Sequence, residues 1–165
     1  MNIFVLDKDP MVAAEYHADK HVPKMCVELL QQLGSAVIRH GAEPWEMPLT
    51  SKGTPLKGGY HNHPCTRWVG DSRENFRWAA MHGLALCIEY TNRYKKVHAC
   101  ESGITHLMQM AEMIPDGELT PHAQAMPVEY KCIDPVRAYR TYYINDKKSF
   151  AKWEKLKNTP HWWIL

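Results

Sequence analysis

One long segment of this sequence has the periodicity of an amphipathic helix. Between residues 71 and 96 the apolar side chains recur every three or four positions, and they are Phe76, Ala80, Leu84, Cys87, Ile88 and Tyr94. Asp71 or Ser72 can cap the first turn of this helix. Its apolar face has to be buried, so we expect the helix to be central to the hydrophobic core.

Proline and glycine mark the boundaries of the other elements. Asp9-Pro10 predicts the start of a first helix. Pro23 must either kink this helix or separate it from a second one, which would run from about Pro23 to Arg39. Residues 42–64 hold too many prolines and glycines for a regular element, so a long irregular connection is predicted there. Further helices are predicted at about 102–113, from Asp134-Pro135 to about Tyr143, and at 146–155.

The predicted fold class is therefore all-α, mostly helical with long irregular loops, and with residues 1–6 as a short strand or an extended arm. With 165 residues, 45% apolar and 23% charged, the chain is expected to form one compact domain over residues 1–165. No apolar run is long enough to cross a bilayer, and residues 1–7 do not resemble a signal peptide. We expect a cytoplasmic protein, in the host cytoplasm if it is phage-encoded, with its five cysteines reduced.

The densest polar stretch runs from Glu15 to Lys24 and holds two histidines, two carboxylates and two lysines. A solvated helix face is one interpretation. The other is a site, because a helix that begins at Pro23 would direct free N–H groups toward an anion beside Lys20, His21 and Lys24. In such a phosphate-binding corner His17 and Asp19 are the candidates for proton transfer, with Glu15 in reserve.

A metal site is the alternative for the same stretch. His17 and His21 lie four residues apart, so on an unbroken helix both imidazoles would project from one face. The neighbouring lysines would repel a divalent cation, and the glutamate of a zinc-protease helix is replaced by Ala18. We therefore expect neither a metal nor another cofactor.

Basic and aromatic residues alternate in the last third of the chain. Residues 131–157 hold eight basic side chains against three acidic ones, and the basic ones are Lys131, Arg137, Arg140, Lys147, Lys148, Lys152, Lys155 and Lys157. Such an excess is typical of a surface that binds a polyanion, although at least half of the aromatics would be core residues. The candidate contacts to phosphate or nucleic acid outside the first stretch are His63, Arg93, Lys96, Arg137, Arg140 and Lys148.

Three of these candidates have structural alternatives. His63 lies just before a proline and can serve as a helix lead-in. Arg93 and Lys96 lie at the C-terminal end of the long helix, where positive charge suits the helix dipole.

Several segments in order along the chain resemble the pyrimidine-dimer DNA glycosylases of phages and bacteria. These segments are Ala14-Glu15-Tyr16, His63-Pro64 with Trp68, Glu89-Tyr90-Thr91-Asn92-Arg93-Tyr94, and Thr159-Pro160-His161-Trp162-Trp163. The whole sequence also resembles a family of small proteins encoded largely by phages, through Asp19-Lys20-His21, Asn62-His63-Pro64 and Ala125-Met126-Pro127. This second resemblance implies no particular activity.

The glycosylase resemblance implies a helical fold with a basic concave surface for kinked DNA. It also implies that the N-terminal α-amine attacks a sugar carbon to give an imine, while a carboxylate of the first helix assists. On the Ala14-Glu15-Tyr16 anchor the family's glutamate falls near Ala18, with Asp19 beside it. Asn2 is too large to favour removal of Met1, so the amine would belong to Met1 or take no part.

Two functions from different classes follow. The first is an enzyme that acts on DNA or on a nucleotide, on a glycosylase-like scaffold. The second is a protein that binds or sequesters nucleic acid or a nucleotide without catalysis. Both have DNA or a nucleotide as partner and no membrane, and the oligomeric state is left open.

Overall fold

The computed structural model describes residues 1–156 and 158–164. Over these residues the chain forms α-helices and short 3-10 turns but no β-strand, which confirms the all-α prediction. The α-helices are α1 (Pro10–Glu15), α2 (His21–Arg39), α3 (Pro64–Val69), α4 (Arg73–Tyr94), α5 (Glu101–Met108) and α6 (Pro135–Lys147). Lys157, which was counted in the C-terminal basic excess, lies outside the described residues. Within the described ranges no helix is long and apolar enough to cross a membrane.

Local capping explains where three of the helices begin. The Asp9 carboxylate accepts a hydrogen bond from the N–H of Met11 at 2.7 Å, and Pro10 occupies the first turn of α1. The Ser72 hydroxyl accepts from the N–H of Asn75 at 3.2 Å and starts α4. The Asp134 carboxylate caps α6 in the same way. These starts were predicted because a cap depends only on residues within one turn.

The first two helices are separate, so the break before Pro23 is an elbow between them. α1 ends at Glu15, and α2 begins two residues earlier than predicted, at His21. The N–H groups of His21 and Val22 both bind the carbonyl of Ala18, at 2.8 and 3.2 Å, and Pro23 has no N–H. The start of α2 therefore has fewer free donors for an anion than the sequence predicted.

Two other helix predictions need correction. α3 follows His63-Pro64 directly, inside the stretch between the predicted loop and the long helix. The helix predicted at 146–155 does not form, because α6 extends to Lys147 and the chain then becomes irregular. In that segment the carbonyl of Lys152 accepts from the N–H of Asp19 at 2.8 Å, so tertiary hydrogen bonds replace helical ones.

The core is built around α4, which packs against α1, α2 and α5. Residues 3–6, predicted to lie in a short strand or an extended arm, form no strand and are part of this core. From the C-terminal third Tyr139, Tyr143 and Trp153 are buried and the other aromatics are half-buried. Ile88 departs from the predicted apolar face of α4, since its side chain is 48% exposed.

A buried arginine ties the elbow to α4. The Arg93 guanidinium is 0% exposed and lies 3.1 Å from the Asp19 carboxylate and 2.9 Å from that of Glu89. It also donates to the carbonyls of His17 at 2.7 Å and Glu15 at 2.9 Å. Removing one member of such a buried ion network costs about 3–5 kcal/mol. Arg93 was predicted to contact nucleic acid, but its guanidinium is buried and paired with the carboxylates of Asp19 and Glu89.

Three buried histidines, His17, His21 and His82, lie close together near the elbow. The ring of His17 lies 5.3 Å from that of His21 and 5.4 Å from that of His82, centre to centre. Burial lowers the pKa of His21 to about 3 and that of His82 to about 4, and it lowers the pKa of His17 well below its ordinary value. All three imidazoles are therefore neutral at pH 7.

We expect this cluster to make stability strongly dependent on pH below 6.5. The unfolded histidines take up protons near pH 6.5, whereas folded His21 does so near pH 3 and folded His82 near pH 4, and the pKa of folded His17 is also well below its ordinary value. Between these values the unfolded state binds more protons, so stability is full above pH 6.5 and falls as the pH falls, by about 1.4 kcal/mol per unit for each histidine. Urea unfolding at pH 7, 6 and 5 measures this slope.

The matched variants are His82→Gln, which removes one buried titrating group, and His61→Gln, which removes an exposed one. His82→Gln should reduce the change of the unfolding free energy with pH by about the contribution of one histidine. His61→Gln should leave this pH dependence unchanged. Equal slopes for the two variants, or a wild-type protein as stable at pH 5 as at pH 7, would contradict the assignment.

Candidate active site

The N-terminal segment is held in place by apolar and aromatic contacts. Ile3, Phe4, Val5 and Leu6 are at most 4% exposed. The Phe4 ring lies edge-on to the imidazole of His21, 4.8 Å between centres, and to the ring of Tyr143 at 5.4 Å. Because four consecutive residues are buried, the end of the chain has a fixed position and does not fray.

This anchoring places the α-amine of Met1 against a carboxylate. The amine nitrogen lies 3.1 Å from Oε2 of Glu28, and the side chains of Met1 and Glu28 are only 6% and 12% exposed. The amide of Gln32, one turn further along α2, donates to the Met1 carbonyl. The amine therefore sits in a defined, half-enclosed position on α2.

A second cation shares the Glu28 carboxylate. Nζ of Lys24, one turn before Glu28 on α2, lies 3.5 Å from Oε1, and its side chain is 66% exposed. The Glu28 carboxylate thus lies between two positive groups. The Met1 amine is enclosed, whereas the Lys24 ammonium is open to solvent. Near this pair an anionic ligand would be attracted by the excess of positive charge.

Two histidines border the same place. The pKa of His63 is lowered by burial and further by the charge of the Met1 amine, while the Glu28 carboxylate opposes the shift. The pKa of His21 is lowered to about 3 by burial and then by the charges of Lys147, Lys24 and the Met1 amine. The charges that act on these two imidazoles are thus those of the Met1 amine, Lys24, Glu28 and Lys147.

His63 reaches this neighbourhood through a loop that docks on α2. The Ser35 hydroxyl donates to the Gly59 carbonyl and accepts from the Gly59 N–H, both at 2.8 Å. Gly58 has a positive φ of 69°, and a Cβ on it would overlap Ser35, so the close approach needs glycine. His63 then caps α3, with Nδ1 accepting from the N–H of Cys65 at 3.2 Å.

The carboxylates predicted from sequence lie elsewhere. One oxygen of Asp19 binds Arg93, and the other accepts from the N–H groups of Glu154 at 2.7 Å and Lys155 at 3.1 Å. These contacts give Asp19 a role in joining the C-terminal segment to the elbow. Glu15 has an exposed side chain at the end of α1. The carboxylate that meets the Met1 amine is that of Glu28, not that of Asp19.

Each of the two histidines considered as metal ligands has one ring nitrogen hydrogen-bonded to a protein group, while Nε2 of His17 is buried without a hydrogen-bond partner among the described residues. Nδ1 of His17 donates to the Ala13 carbonyl at 2.7 Å, and Nδ1 of His21 lies 3.0 Å from the Tyr143 hydroxyl. His17 is 0% exposed and His21 is 3% exposed. Both imidazoles are thus packed into the core beside the elbow, with His21 at the edge of the amine's neighbourhood.

The basic residues predicted to bind phosphate or nucleic acid separate into two groups. Arg140 is paired with Asp7 at 3.1 Å and lies over the rings of Tyr16 and Trp162, at 5.7 and 5.4 Å from their centres. Together with Arg93 it has internal partners. The exposed ones are Lys20 before α2, Lys24 in α2, Lys96 after α4, Arg137 in α6 and Lys148 after α6.

Sequence reasoning missed Glu28 and Gln32. Both lie on the buried face of α2, with 9% and 0% exposure, among apolar neighbours such as Leu29 and Leu33. Two polar residues four positions apart on an apolar helix face are the signal that could have found them, because a buried polar group needs a partner. The sequence around α2 does not indicate that Met1 is the partner of both residues.

A comparison with known protein families gives a match that includes the residues around the Met1 amine. A family model described as pyrimidine dimer DNA glycosylase matches residues 1–102, which include Met1, Lys24, Glu28 and His63. No curated protein and no solved structure gives a significant match. The matched range is more than half of the chain and contains both the amine and Glu28, so this chain belongs to the pyrimidine dimer DNA glycosylase family.

Proposed function

We propose that this protein is a DNA glycosylase that cleaves the bond between C1′ and a base of a pyrimidine dimer, with the α-amine of Met1 as nucleophile and Glu28 as the assisting carboxylate. The observation that carries the proposal is the 3.1 Å contact between the amine and the Glu28 carboxylate. Family membership supports the substrate class, and the contact supplies the nucleophile and base that such a reaction needs.

The chemistry follows from these two groups. An ammonium has no free electron pair, so Glu28 first accepts a proton from the Met1 amine. The amine nitrogen then forms a bond to C1′ of the sugar, and the bond between C1′ and the base breaks with its electron pair leaving on the base. Loss of a second amine proton and cleavage of the C1′–O4′ bond, with a proton added to O4′, gives a protonated imine between Met1 and the sugar.

The position of the amine supports Met1 and not Asn2 as the nucleophilic residue. It is Met1 whose nitrogen meets Glu28 and whose carbonyl is held by Gln32. Removal of Met1 would leave the new amine about 3.5 Å further along an extended chain. Since the buried residues 3–6 fix the segment, Asn2 could not advance to compensate.

Positive charge around the amine supports a DNA substrate. A damaged base has to leave the helical stack before its sugar can be attacked, and the flanking phosphates must then be held near the amine. Lys24 is exposed, and Lys147, 17% exposed, acts electrostatically on the same His21 imidazole. We propose that Lys24 contacts a phosphate beside the extruded nucleotide, with the exposed Lys20 and Lys148 further along the strand.

We predict that Glu28→Gln slows cleavage of the C1′–base bond in a duplex with one thymine dimer at least about 100-fold, because the amine loses its proton acceptor. Single-turnover rates and borohydride trapping of the imine on a denaturing gel measure the effect. Affinity for the same duplex should be unchanged or slightly higher, since one negative charge is lost. Glu129→Gln, on the surface, is the matched control and should keep the wild-type rate. A Glu28→Gln protein that folds and traps at the wild-type rate would exclude Glu28 from the reaction.

A second test concerns the nucleophile. A protein with two extra residues before Met1 should form no borohydride-trapped adduct, because the amine would no longer lie at Glu28. The same residues added after Leu165 should leave trapping intact. Mass spectrometry of the wild-type adduct should locate the sugar on Met1. An adduct on a lysine, or trapping that survives the N-terminal extension, would contradict the mechanism, and the absence of any turnover on damaged duplex would favour the binding protein instead.

The phosphate contact is tested by salt dependence. Lys24→Ala should weaken binding to the damaged duplex and reduce the slope of log K against log salt by about 1. Arg77→Ala removes one positive charge where Glu74 and Glu112 already neutralise it, so it serves as the matched control with little expected change. Equal slopes for the two variants would remove Lys24 from the DNA contact, whereas a slower reaction at unchanged affinity would place it in the chemistry.

A further inference from the structure

One tyrosine of the loop that docks on α2 has no side-chain partner inside the protein. Tyr60 follows Gly58-Gly59 and is 64% exposed. Over residues 1–156 and 158–164 its hydroxyl makes no hydrogen bond, and its ring contacts no other aromatic ring and no cation. A single exposed aromatic residue is ordinary on a protein surface, but the backbone at Tyr60 adds a second observation.

The backbone of Tyr60 lies in the left-handed region, with a φ of 52°. A bulky side chain rarely adopts this conformation, because its Cβ comes too close to the following carbonyl oxygen. Glycine would adopt it without strain, as Gly58 does two residues earlier. Nothing in the described part of the fold accounts for a tyrosine at this strained position, which favours a use of the ring outside the protein.

The loop holds Tyr60 close to the amine on the α2 side. Gly59 is hydrogen-bonded to α2 through Ser35, and a Cβ on Gly59 would lie 3.5 Å from the side chain of Gln31. The next residue of α2 is Gln32, whose amide donates to the Met1 carbonyl. Tyr60 therefore follows directly after the point where the loop reaches the part of α2 that binds Met1.

The other end of the turn leads to the N-terminal segment. The carbonyl of Tyr60 accepts from the N–H of His63 at 2.9 Å, so a hydrogen bond closes the turn between its first and last residues. Two residues further on, Sγ of Cys65 lies 3.5 Å from the Tyr139 hydroxyl. The Tyr139 ring packs edge-on against Phe4, with 5.6 Å between ring centres. The turn is thus anchored between α2 and the buried residues that fix Met1.

An exposed ring at this place suits an opened duplex. Extruding a nucleotide leaves a gap, and the bases on either side lose a stacking partner. Side chains that enter such gaps are apolar, and an aromatic ring stacks on any base because every base has a π-face. We propose that the Tyr60 ring stacks on a base beside the nucleotide that is extruded toward the Met1 amine. This inference rests on the proposed function, since it needs a duplex that is opened at the amine.

A duplex with one tetrahydrofuran residue tests the contact without the reaction. This residue has no base, so the gap is present, and its C1′ carries hydrogen in place of the base, so no imine can form. By fluorescence anisotropy the wild-type protein should bind this duplex more tightly than the intact duplex of the same sequence. Tyr60→Gly should reduce that preference about 10-fold, because one base loses its aromatic stacking partner. Tyr60→Phe keeps the ring and should keep the preference.

Thermal unfolding separates the proposed contact from a role in the fold. Tyr60→Gly should unfold near the wild-type temperature, because relief of the positive φ offsets the greater freedom of the unfolded chain. Trp45→Ala is the matched control and should keep the wild-type preference. Trp45 is an aromatic residue with 80% exposure, and the carbonyl of its neighbour Glu46 lies 2.7 Å from Nε2 of His106 in α5.

The same preference in Tyr60→Gly as in the wild type would overturn the proposal, as would equal losses in Tyr60→Gly and Trp45→Ala. A loss in Tyr60→Phe as large as in Tyr60→Gly, or a wild-type protein that does not distinguish the two duplexes, would also overturn it. Imine trapping on the thymine-dimer duplex reports on the reaction separately. A wild-type protein that traps no imine, but whose preference for the tetrahydrofuran duplex depends on Tyr60, would contradict the reaction and support the stacking contact.

Discussion

Burial of the first residues of the chain is the constraint on which the candidate site depends. Chain termini are usually mobile, and fixing each residue costs about 1–2 kcal/mol in backbone entropy. Residues 3–6 offset this cost because each buries an apolar side chain completely, worth about 1.5–3 kcal/mol. The amine of Met1 is then positioned by the core itself. In the reaction that we propose, an amine held in this way reaches its target without a further loss of freedom.

The partner of the amine is positioned by a second, electrostatic constraint. Arg93 holds the elbow at residues 15–19 against α4, and α2 begins directly after that elbow. A shift of α2 by one residue would turn Glu28 about 100° away from Met1. The buried ion network therefore sets the register of the helix that carries Glu28. The network includes Asp19, so the most conspicuous carboxylate of the sequence is bound to Arg93 inside the protein.

The sequence was informative where structure is set locally. The starts of α1, α4 and α6 follow from a capping side chain and a proline or polar first turn, and they were predicted correctly. The helix expected at 146–155 failed because Asp19, more than a hundred residues away, binds the backbone there. Glu28 was missed for the same reason, since its ion-pair partner is the amine of Met1, which is not part of the sequence around α2. Long-range partners of buried polar groups are not encoded in local spacing.

The dense polar run from Glu15 to Lys24 shows how residues of one stretch can serve different purposes. Its charged and imidazole groups differ in exposure: His17, Asp19 and His21 are buried, whereas Glu15, Lys20 and Lys24 are exposed. The elbow brings His17 and Asp19 beside Arg93, and α2 then carries Lys24 one turn before Glu28. The elbow thus lets one segment support the core and also supply a cation to the site.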